Sequence, residues 1–160
     1  METISNAAAY VLRFINQTQK SVFLTGKAGT GKTTLLREII TTTHKNTVVV
    51  APTGIAALNA GGVTIHSMFQ LPFAAFLPDA NTDPYISENS RFENRNTLSR
   101  HFKMNGAKRA VIQNMELLVI DEVSMLRVDI MDAMDFMLRK VRRNEMPFGA
   151  GRQARFGQPT

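Results

Sequence analysis

The chain has 160 residues, a formal net charge of +6 and a pI near 10.1, with 44% hydrophobic and 20% charged residues. This ordinary globular composition excludes a disordered chain, and no stretch approaches the roughly 18 apolar residues that cross a bilayer. The absence of cysteine excludes disulfides and thiolate metal sites. Because the start of the chain, Met1-Glu2-Thr3, lacks the features of a secretory signal, we expect an intracellular, cytoplasmic protein. Its basic charge favours a polyanionic partner.

The first part of the sequence alternates helical and strand patterns. Ser5 is a candidate N-cap for a first helix, and an apolar run over 22–25 predicts a strand. A helix over 32–42 and a buried strand over 47–51 follow, and a short helix begins near Gly54 and ends at Gly61-Gly62. Strand, helix and strand in this order form one right-handed crossover of a parallel sheet. We therefore predict a single α/β domain, a parallel sheet flanked by helices.

The stretch GKAGTGKTT, residues 26–34, lies between the first strand and the second helix. Its glycine, lysine and threonine spacing fits the phosphate-binding loop, in the context that the motif requires. Glycines let backbone N–H groups wrap a polyphosphate, and the helix N-terminus attracts it further. Lys32 can reach the β- and γ-phosphates of a nucleotide, and the Thr33 hydroxyl can hold Mg²⁺. The predicted nucleotide-binding residues are Gly26, Lys27, Ala28, Gly29, Thr30, Gly31, Lys32, Thr33 and Thr34.

The middle of the chain loses this regularity. Residues 70–106 gather prolines, asparagines and spaced aromatic residues, which predicts an insertion or a long loop. The acidic part of this region precedes a basic part over 91–109. A second basic group, Arg139, Lys140, Arg142 and Arg143, closes a later helix, where cations suit the helix dipole. That helix carries an apolar face made of Ile130, Met134, Met137, Leu138 and Val141.

A buried strand over 116–120 ends in Asp121 and Glu122. In parallel sheets the ligand site lies at the carboxyl ends of the strands, so these acids should lie beside the phosphate loop. We expect Asp121 to complete a magnesium site with Thr33, and Glu122 to orient or deprotonate the attacking water. Lys32 and Glu122 are thus the candidate catalytic residues.

Four motifs together resemble the first RecA-like domain of the Pif-type, RecD-like DNA helicases of superfamily one. They are GKAGTGKTT, APTGIAALNAGGVTIHSMF (51–69), LLVIDEVSM (117–125), and RKVRR (139–143) with PFG (147–149). The second is the most discriminating, since a generic phosphate-loop protein has no need of it. The resemblance implies a RecA-like, ATP-binding domain that uses ATP and Mg²⁺ and contacts single-stranded DNA.

By this resemblance the DNA-contacting residues are Pro52, Thr53, Gly54, Thr64 and His66. Hydroxyls and amides at a helix start suit a phosphodiester, and His66 can stack on a base or donate to phosphate. A hydrogen-bonded structural role is the alternative for His66. In the region where such helicases carry a strand-separating insertion, the candidates for strand contact are Phe73, Phe76, Arg91, Arg95 and Arg100. Anchoring of the loop to the core is the alternative for the phenylalanines.

The sequence departs from the family after Gly149. Residues 150–160 read as an atypical tail in which we expect no strand, and the family's γ-phosphate sensor has no counterpart. We therefore expect an incomplete helicase, whose second RecA-like domain belongs to a parent chain, and slow hydrolysis with no unwinding by these residues alone. Two further hypotheses stay open: a P-loop ATPase or kinase unrelated to DNA, and a non-catalytic DNA-binding module.

Overall fold

A computed structural model describes residues 6–79, 92–150 and 152–157. It divides the chain into two compact units. Unit 1 draws its described residues from 6–64, 114–125 and 152–157, and unit 2 from 65–79, 92–113 and 126–150. The expected N-cap of the first helix, Ser5, lies outside the described residues.

The described elements match the predicted order and add several short ones. The helices are α1 Asn6–Gln17, α2 Lys32–Thr42, α3 Gly54–Ala60, α4 Ile65–Phe69, α5 Arg95–His101, α6 Gly106–Asn114 and α7 Val128–Arg142. The strands are β1 Val22–Thr25, β2 Thr47–Ala51, β3 Val63–Thr64, β4 Ala75–Phe76, β5 Phe92–Glu93, β6 Leu117–Ile120 and β7 Arg152–Gly157. Single 3₁₀ turns cover Val123–Met125 and Pro147–Ala150.

Unit 1 is built on a five-stranded sheet in the order β1-β7-β6-β2-β3, and every pairing is parallel. Val49 of β2 and Val119 of β6 are register partners, and both side chains enter a core with Ile15 of α1 and Leu36 and Ile39 of α2. Burial of these aliphatic side chains, at roughly 25 cal/mol per Å² of apolar area, holds the helices against the sheet. The predicted parallel α/β fold is confirmed.

The expectation that no strand forms after Gly149 was wrong. Strand β7 lies between β1 and β6 and pairs in parallel with both of them. Its segment lacks the apolar run by which buried parallel strands are recognised. Ladder hydrogen bonds on both sides satisfy its backbone groups and those of its neighbours, and they form whatever the side chains are. The position of this segment between β1 and β6, rather than its own residue pattern, therefore determines that it forms a strand.

Unit 2 is organised around α7 and a small sheet. The predicted apolar face of α7 is buried as expected, from Ile130 to Val141. Strands β4 and β5 pair in parallel over two residues each. Asn94 caps α5 with a complete capping box, accepting hydrogen bonds from the backbone N–H groups of Asn96 and Thr97. These elements give the described part of 70–106 a regular structure that its sequence pattern did not indicate.

Across the described residues, no helix combines the length and the apolar character that a membrane crossing requires.

Candidate functional site

The phosphate loop connects β1 to α2 and owes its path to two glycines. Gly29 and Gly31 have φ of 77° and 84°, in the left-handed region that side chains rarely adopt. Gly31 is the N-cap of α2 and accepts the Leu35 N–H at 2.9 Å. Inside the loop, both the backbone N–H and the hydroxyl of Thr30 donate to the Lys27 carbonyl. The turn therefore leaves the loop amides at the N-terminus of α2, where an anion is favoured.

The Lys32 ammonium folds back over this loop. Its Nζ donates to the Gly26 carbonyl at 2.5 Å and to the Lys27 carbonyl at 2.8 Å. Both acceptors are neutral carbonyl oxygens. A phosphate oxygen would offer a stronger charge-assisted hydrogen bond, so the ammonium is poised to exchange these partners for an anion.

Asp121 follows β6 at the carboxyl end of the sheet, and its N–H donates to the Val50 carbonyl at 2.9 Å. Burial raises the pKa of the Asp121 carboxyl, while the hydrogen bond from the Glu122 N–H and the positive charge of Lys32 act in the opposite direction. The carboxyl is thus half-buried and within the field of the Lys32 ammonium. Such a group gains from a further cation.

Glu122 faces the phosphate loop across a cavity of about 370 Å³. The other lining residues come from the loop and the start of α2: Ala28, Gly29, Gly31, Lys32, Thr33 and Thr34. Glu122 has a φ of 51°, and its N–H donates to Asp121 Oδ1 at 2.9 Å while its carbonyl accepts from the Met125 N–H. A left-handed glutamate costs of order 1 kcal/mol, and such strain is concentrated at functional sites. The structure thus brings the predicted lysine, threonine and carboxyl groups together.

A larger cavity, of about 460 Å³, lies in unit 2 and includes none of the predicted nucleotide or catalytic residues. Arg139 and Asp135 on its wall form an ion pair at 2.8 Å, and Arg139 also donates to the Glu145 carbonyl. Arg139 thus links the end of α7 to the following turn.

Four of the five predicted DNA-contacting residues lie at the carboxyl ends of β2 and β3 in unit 1. Pro52, Thr53 and Gly54 directly follow β2, and Thr64, which ends β3, is the register partner of Ala51. The Thr53 hydroxyl oxygen caps α3 by accepting the Ala56 N–H at 3.2 Å. A hydroxyl that accepts at a helix cap keeps its hydrogen for donation, so capping and a phosphate contact are compatible.

The fifth, His66, belongs to unit 2, where it stacks on Phe73 with ring centroids 4.7 Å apart and an interplanar angle of 13°. Phe73 is 81% exposed. Sequence reasoning did not pair these rings, and it missed Arg127 and Asp129, whose charges both act on the imidazole. Asp129 lies in the first turn of α7, where the helix dipole favours an acid, and this position is the signal that could have singled it out.

The other strand-contact candidates separate in the structure. The prediction for Phe76 was wrong, because its side chain is buried at 3% exposure and packs near Phe136. It anchors the segment, which was the alternative. Arg95 is exposed and paired with Asp79 at 3.1 Å, and Arg100 is exposed. Arg91 lies outside the described residues.

A parallel sheet with a phosphate loop after its edge strand and an acidic pair after an inner strand defines the RecA-like class of P-loop nucleotide-binding folds. The model of the PIF1-like helicase family matches residues 3–157. The chain therefore belongs to the PIF1-like helicase family, as its motifs predicted.

Known proteins support this assignment. The ATP-dependent DNA helicase PIF1 of Saccharomyces cerevisiae is 39% identical over 135 residues, which cover 81% of this chain and 14% of the yeast protein. Human PIF1 is 33% identical, covering 91% of this chain and 20% of its own length. A crystal structure of Bacteroides Pif1 bound to single-stranded DNA has a TM-score of 0.81 at 38% identity, over 99% of this chain and 32% of that one. Another, in complex with ADP-AlF3 and single-stranded DNA, has a TM-score of 0.82.

Proposed function

We propose that this chain is the N-terminal ATP-binding motor domain of a DNA-associated, ATP-dependent DNA helicase that translocates on single-stranded DNA. The observation that carries this proposal is the one cavity shared by Glu122, Lys32 and the phosphate loop, with Asp121 in the field of the same lysine. The chain spans 12 to 20% of the length of the curated relatives that it matches and about a third of the length of the solved Pif1 chains. Unwinding is therefore proposed for the whole protein.

Residues 26–34 would bind the triphosphate of ATP. The loop amides at the N-terminus of α2 and the Lys32 ammonium supply positive charge, and the ammonium exchanges the Gly26 and Lys27 carbonyls for phosphate oxygens. Since phosphoryl transfer depends almost entirely on positioning and charge stabilisation, Lys32 contributes to catalysis by holding the phosphates in place.

The donors near the loop fit a magnesium ion. Mg²⁺ prefers hard oxygen ligands and is usually bound through one or two protein groups together with substrate phosphates. The Thr33 hydroxyl and the half-buried Asp121 carboxyl are such donors, and burial, which raises the pKa of Asp121, makes its ionised form gain from a nearby cation. When bound, the ion neutralises charge that develops on the phosphates.

Glu122 would orient or deprotonate the attacking water. Its backbone is fixed from both sides, by its N–H to Asp121 and by its carbonyl to Met125, so the carboxylate is held toward the cavity rather than on a free loop. A positioned general base contributes roughly 10²- to 10⁴-fold.

Single-stranded DNA would contact Pro52, Thr53, Gly54, Thr64 and His66. The first three residues place a helix start after β2, and Thr64 ends the neighbouring strand, so hydroxyl and amide groups collect where a phosphodiester can accept from them. We also propose that residues 70–106 form an insertion of this domain, and that a second RecA-like domain of the parent protein completes the DNA track.

Titration of the 160-residue chain with oligo-dT at several salt concentrations, with and without Mg²⁺ and an ATP analogue, tests the proposal. We expect a linear fall of log K with log salt, with a slope of about −0.7 per phosphate contacted, and a change of affinity on adding the nucleotide. A chain that binds nucleotide but has no DNA affinity would support an unrelated P-loop ATPase or kinase. DNA binding indifferent to nucleotide would support a non-catalytic module.

A further inference from the structure

The cavity of unit 2, of about 460 Å³, has the size of a ligand site, since such sites span roughly 300 to 1,000 Å³. One wall is a single face of α7, on which Asp132, Asp135, Phe136 and Arg139 follow one another at helical spacing. The buried apolar positions of α7 lie on the opposite side of the helix. The helix therefore uses one face for the core and presents a second, largely polar face to the cavity.

The two arginines that line the cavity already have partners. Arg139 donates to the Asp135 carboxylate at 2.8 Å and to the Glu145 carbonyl at 2.8 Å. Arg95 pairs with the Asp79 carboxylate at 3.1 Å. Because both guanidinium groups face a carboxylate of the protein, the cavity offers little positive charge to an anionic ligand.

Two acids on the wall are left over. Asp132 and Glu145 are exposed, and within the described residues neither carboxylate has a hydrogen bond or an ion pair. Such a surplus of negative charge repels a polyanion and attracts a cation. Since no three acidic or histidine side chains of the described residues could together hold a metal ion, we expect an organic cation.

The remaining lining is apolar and favours a guanidinium over an ammonium ion. The Phe76 and Phe136 rings lie with centroids 6.1 Å apart, and Pro78 continues this part of the wall. A guanidinium is planar, weakly hydrated and stacks on aromatic rings, whereas the ammonium of lysine is a strongly hydrated point charge. The methylene groups of an arginine side chain would also gain from apolar contact.

Arg139 adds a reason to expect a peptide. Its Nε is buried and has no hydrogen-bond acceptor among the described residues, and a buried donor without an acceptor is costly. A peptide carbonyl could accept from this nitrogen if the half-exposed side chain turned toward the cavity, whereas a free polyamine brings no acceptor of this kind.

We propose that this cavity binds an arginine side chain of a protein partner. The guanidinium pairs with the carboxylates of Asp132 and Glu145, and the stem of the side chain lies against Phe136 and Pro78. The proposal goes beyond the proposed function and does not depend on it, because the cavity includes none of the predicted nucleotide or catalytic residues.

The test is an NMR titration of the ¹⁵N-labelled 160-residue chain with the tripeptide acetyl-Gly-Arg-Gly-amide. A peptide with citrulline in place of arginine keeps the shape and removes the charge, so it should bind at least roughly 5-fold more weakly. A lysine peptide and spermidine form the other arms, and each should bind more weakly than the arginine peptide. Since the chain is basic overall, non-specific attraction of these cations should be small.

Three isosteric or near-isosteric variants locate the site. Asp132→Asn and Glu145→Gln should each weaken the arginine peptide by roughly 2- to 5-fold and leave the citrulline peptide unchanged. Phe136→Leu, which keeps the position apolar but removes the ring, should have an effect of similar size. Glu38→Gln changes an acid of α2 outside the cavity and should change nothing. Thermal melts establish that each variant is folded.

The proposal is overturned if the arginine peptide does not bind, if the citrulline peptide binds equally well, or if the cavity variants bind it like the wild-type chain. Equal or tighter binding of the lysine peptide or spermidine would also overturn the assignment of arginine. Oligo-dT and nucleotide binding of the same variants should match those of the wild-type chain, so failure of this inference leaves the proposed function untouched.

Discussion

The phosphate loop of unit 1 and the unit 2 cluster of His66, Phe73, Arg127 and Asp129 hold their side chains by different means. In the loop, left-handed glycines and a helix N-terminus fix the backbone, and Lys32 is tied only to backbone carbonyls. In the unit 2 cluster, side chains contact one another: His66 stacks on Phe73, and Arg127 donates two hydrogen bonds to Asp129. We therefore expect substitutions in the loop to change nucleotide binding and hydrolysis while the fold stays intact. Substitutions in the unit 2 cluster should instead change the positions of neighbouring side chains or the free energy of unfolding.

The largest expected effect concerns Glu122. Glu122→Gln preserves the shape of the side chain but removes its basicity, so ATP hydrolysis should fall by roughly 10²- to 10⁴-fold. Hydrolysis is followed by phosphate release at saturating ATP, and nucleotide affinity is measured by calorimetry as the control. Asp132 is an exposed acid that does not line the phosphate-loop cavity, so Asp132→Asn should leave the hydrolysis rate unchanged and serves as the matched variant. An unchanged rate in Glu122→Gln would contradict the assignment of the base.

The second effect concerns nucleotide affinity. Lys32→Ala removes the charge offered to the phosphates, and by analogy with truncated charge pairs it should weaken ATP binding by roughly 30-fold or more. The Lys27 side chain is exposed in the same loop, so Lys27→Ala provides a charge-matched control with a smaller expected loss. Equal losses for both lysines would mean that the loop acts only as a diffuse basic patch.

The third effect is on stability and belongs to unit 2. Asp129→Ala leaves the Phe76 N–H without its carboxylate and releases Arg127, so we expect the free energy of unfolding to fall by roughly 1 to 3 kcal/mol. Urea denaturation measures the change. Asp132→Ala, on the exposed side of the same helix, should stay within about 0.5 kcal/mol of wild type. If both variants unfold at the same urea concentration, the hydrogen bond between α7 and β4 contributes nothing to the free energy of unfolding.

A smaller effect is expected at Asp121. The pKa of Asp121 is raised above 3.8 in the folded protein, so the folded state favours the protonated carboxyl. The protonated carboxyl therefore contributes to the free energy of unfolding at low pH, and this contribution is lost as pH rises through the folded pKa. At pH 7 the ionised carboxyl therefore costs stability. Asp121→Asn should raise the melting temperature of the ligand-free chain by roughly 1 to 3 °C at pH 7, and the gain should vanish near pH 3.8. A lower melting temperature at pH 7 would contradict the account.

The smallest effect concerns His66, whose pKa is lowered below 6.5 in the folded chain. The charges of Arg127 and Asp129 both act on this imidazole. The stability that its neutral form contributes to the folded chain is present above pH 6.5 and is lost as pH falls through the folded pKa. The melting temperature of His66→Gln should therefore decrease less between pH 7 and pH 5 than that of the wild-type chain. His44→Gln, at an exposed position, should leave that slope unchanged.

The two regions also differ in what the sequence could predict. The loop, β1, α2, β2 and α3 follow from local patterns, since backbone turns need glycine and buried strands need apolar runs. Strand β7 could not be found this way because its slot between β1 and β6 imposes the conformation. Phe73 is exposed, whereas Phe76 is buried, with its ring near that of Phe136 and its backbone N–H donating to the Asp129 carboxylate. The spacing of the aromatic residues alone does not encode these contacts.

The most direct measurement is a crystal structure of this chain with Mg²⁺ and a non-hydrolysable ATP analogue. We predict the terminal phosphates in the cavity between residues 28–34 and Glu122, with Lys32 Nζ moved from the Gly26 and Lys27 carbonyls to phosphate oxygens. Phosphates bound elsewhere, or a lysine still on its carbonyls while the analogue is present, would contradict the account.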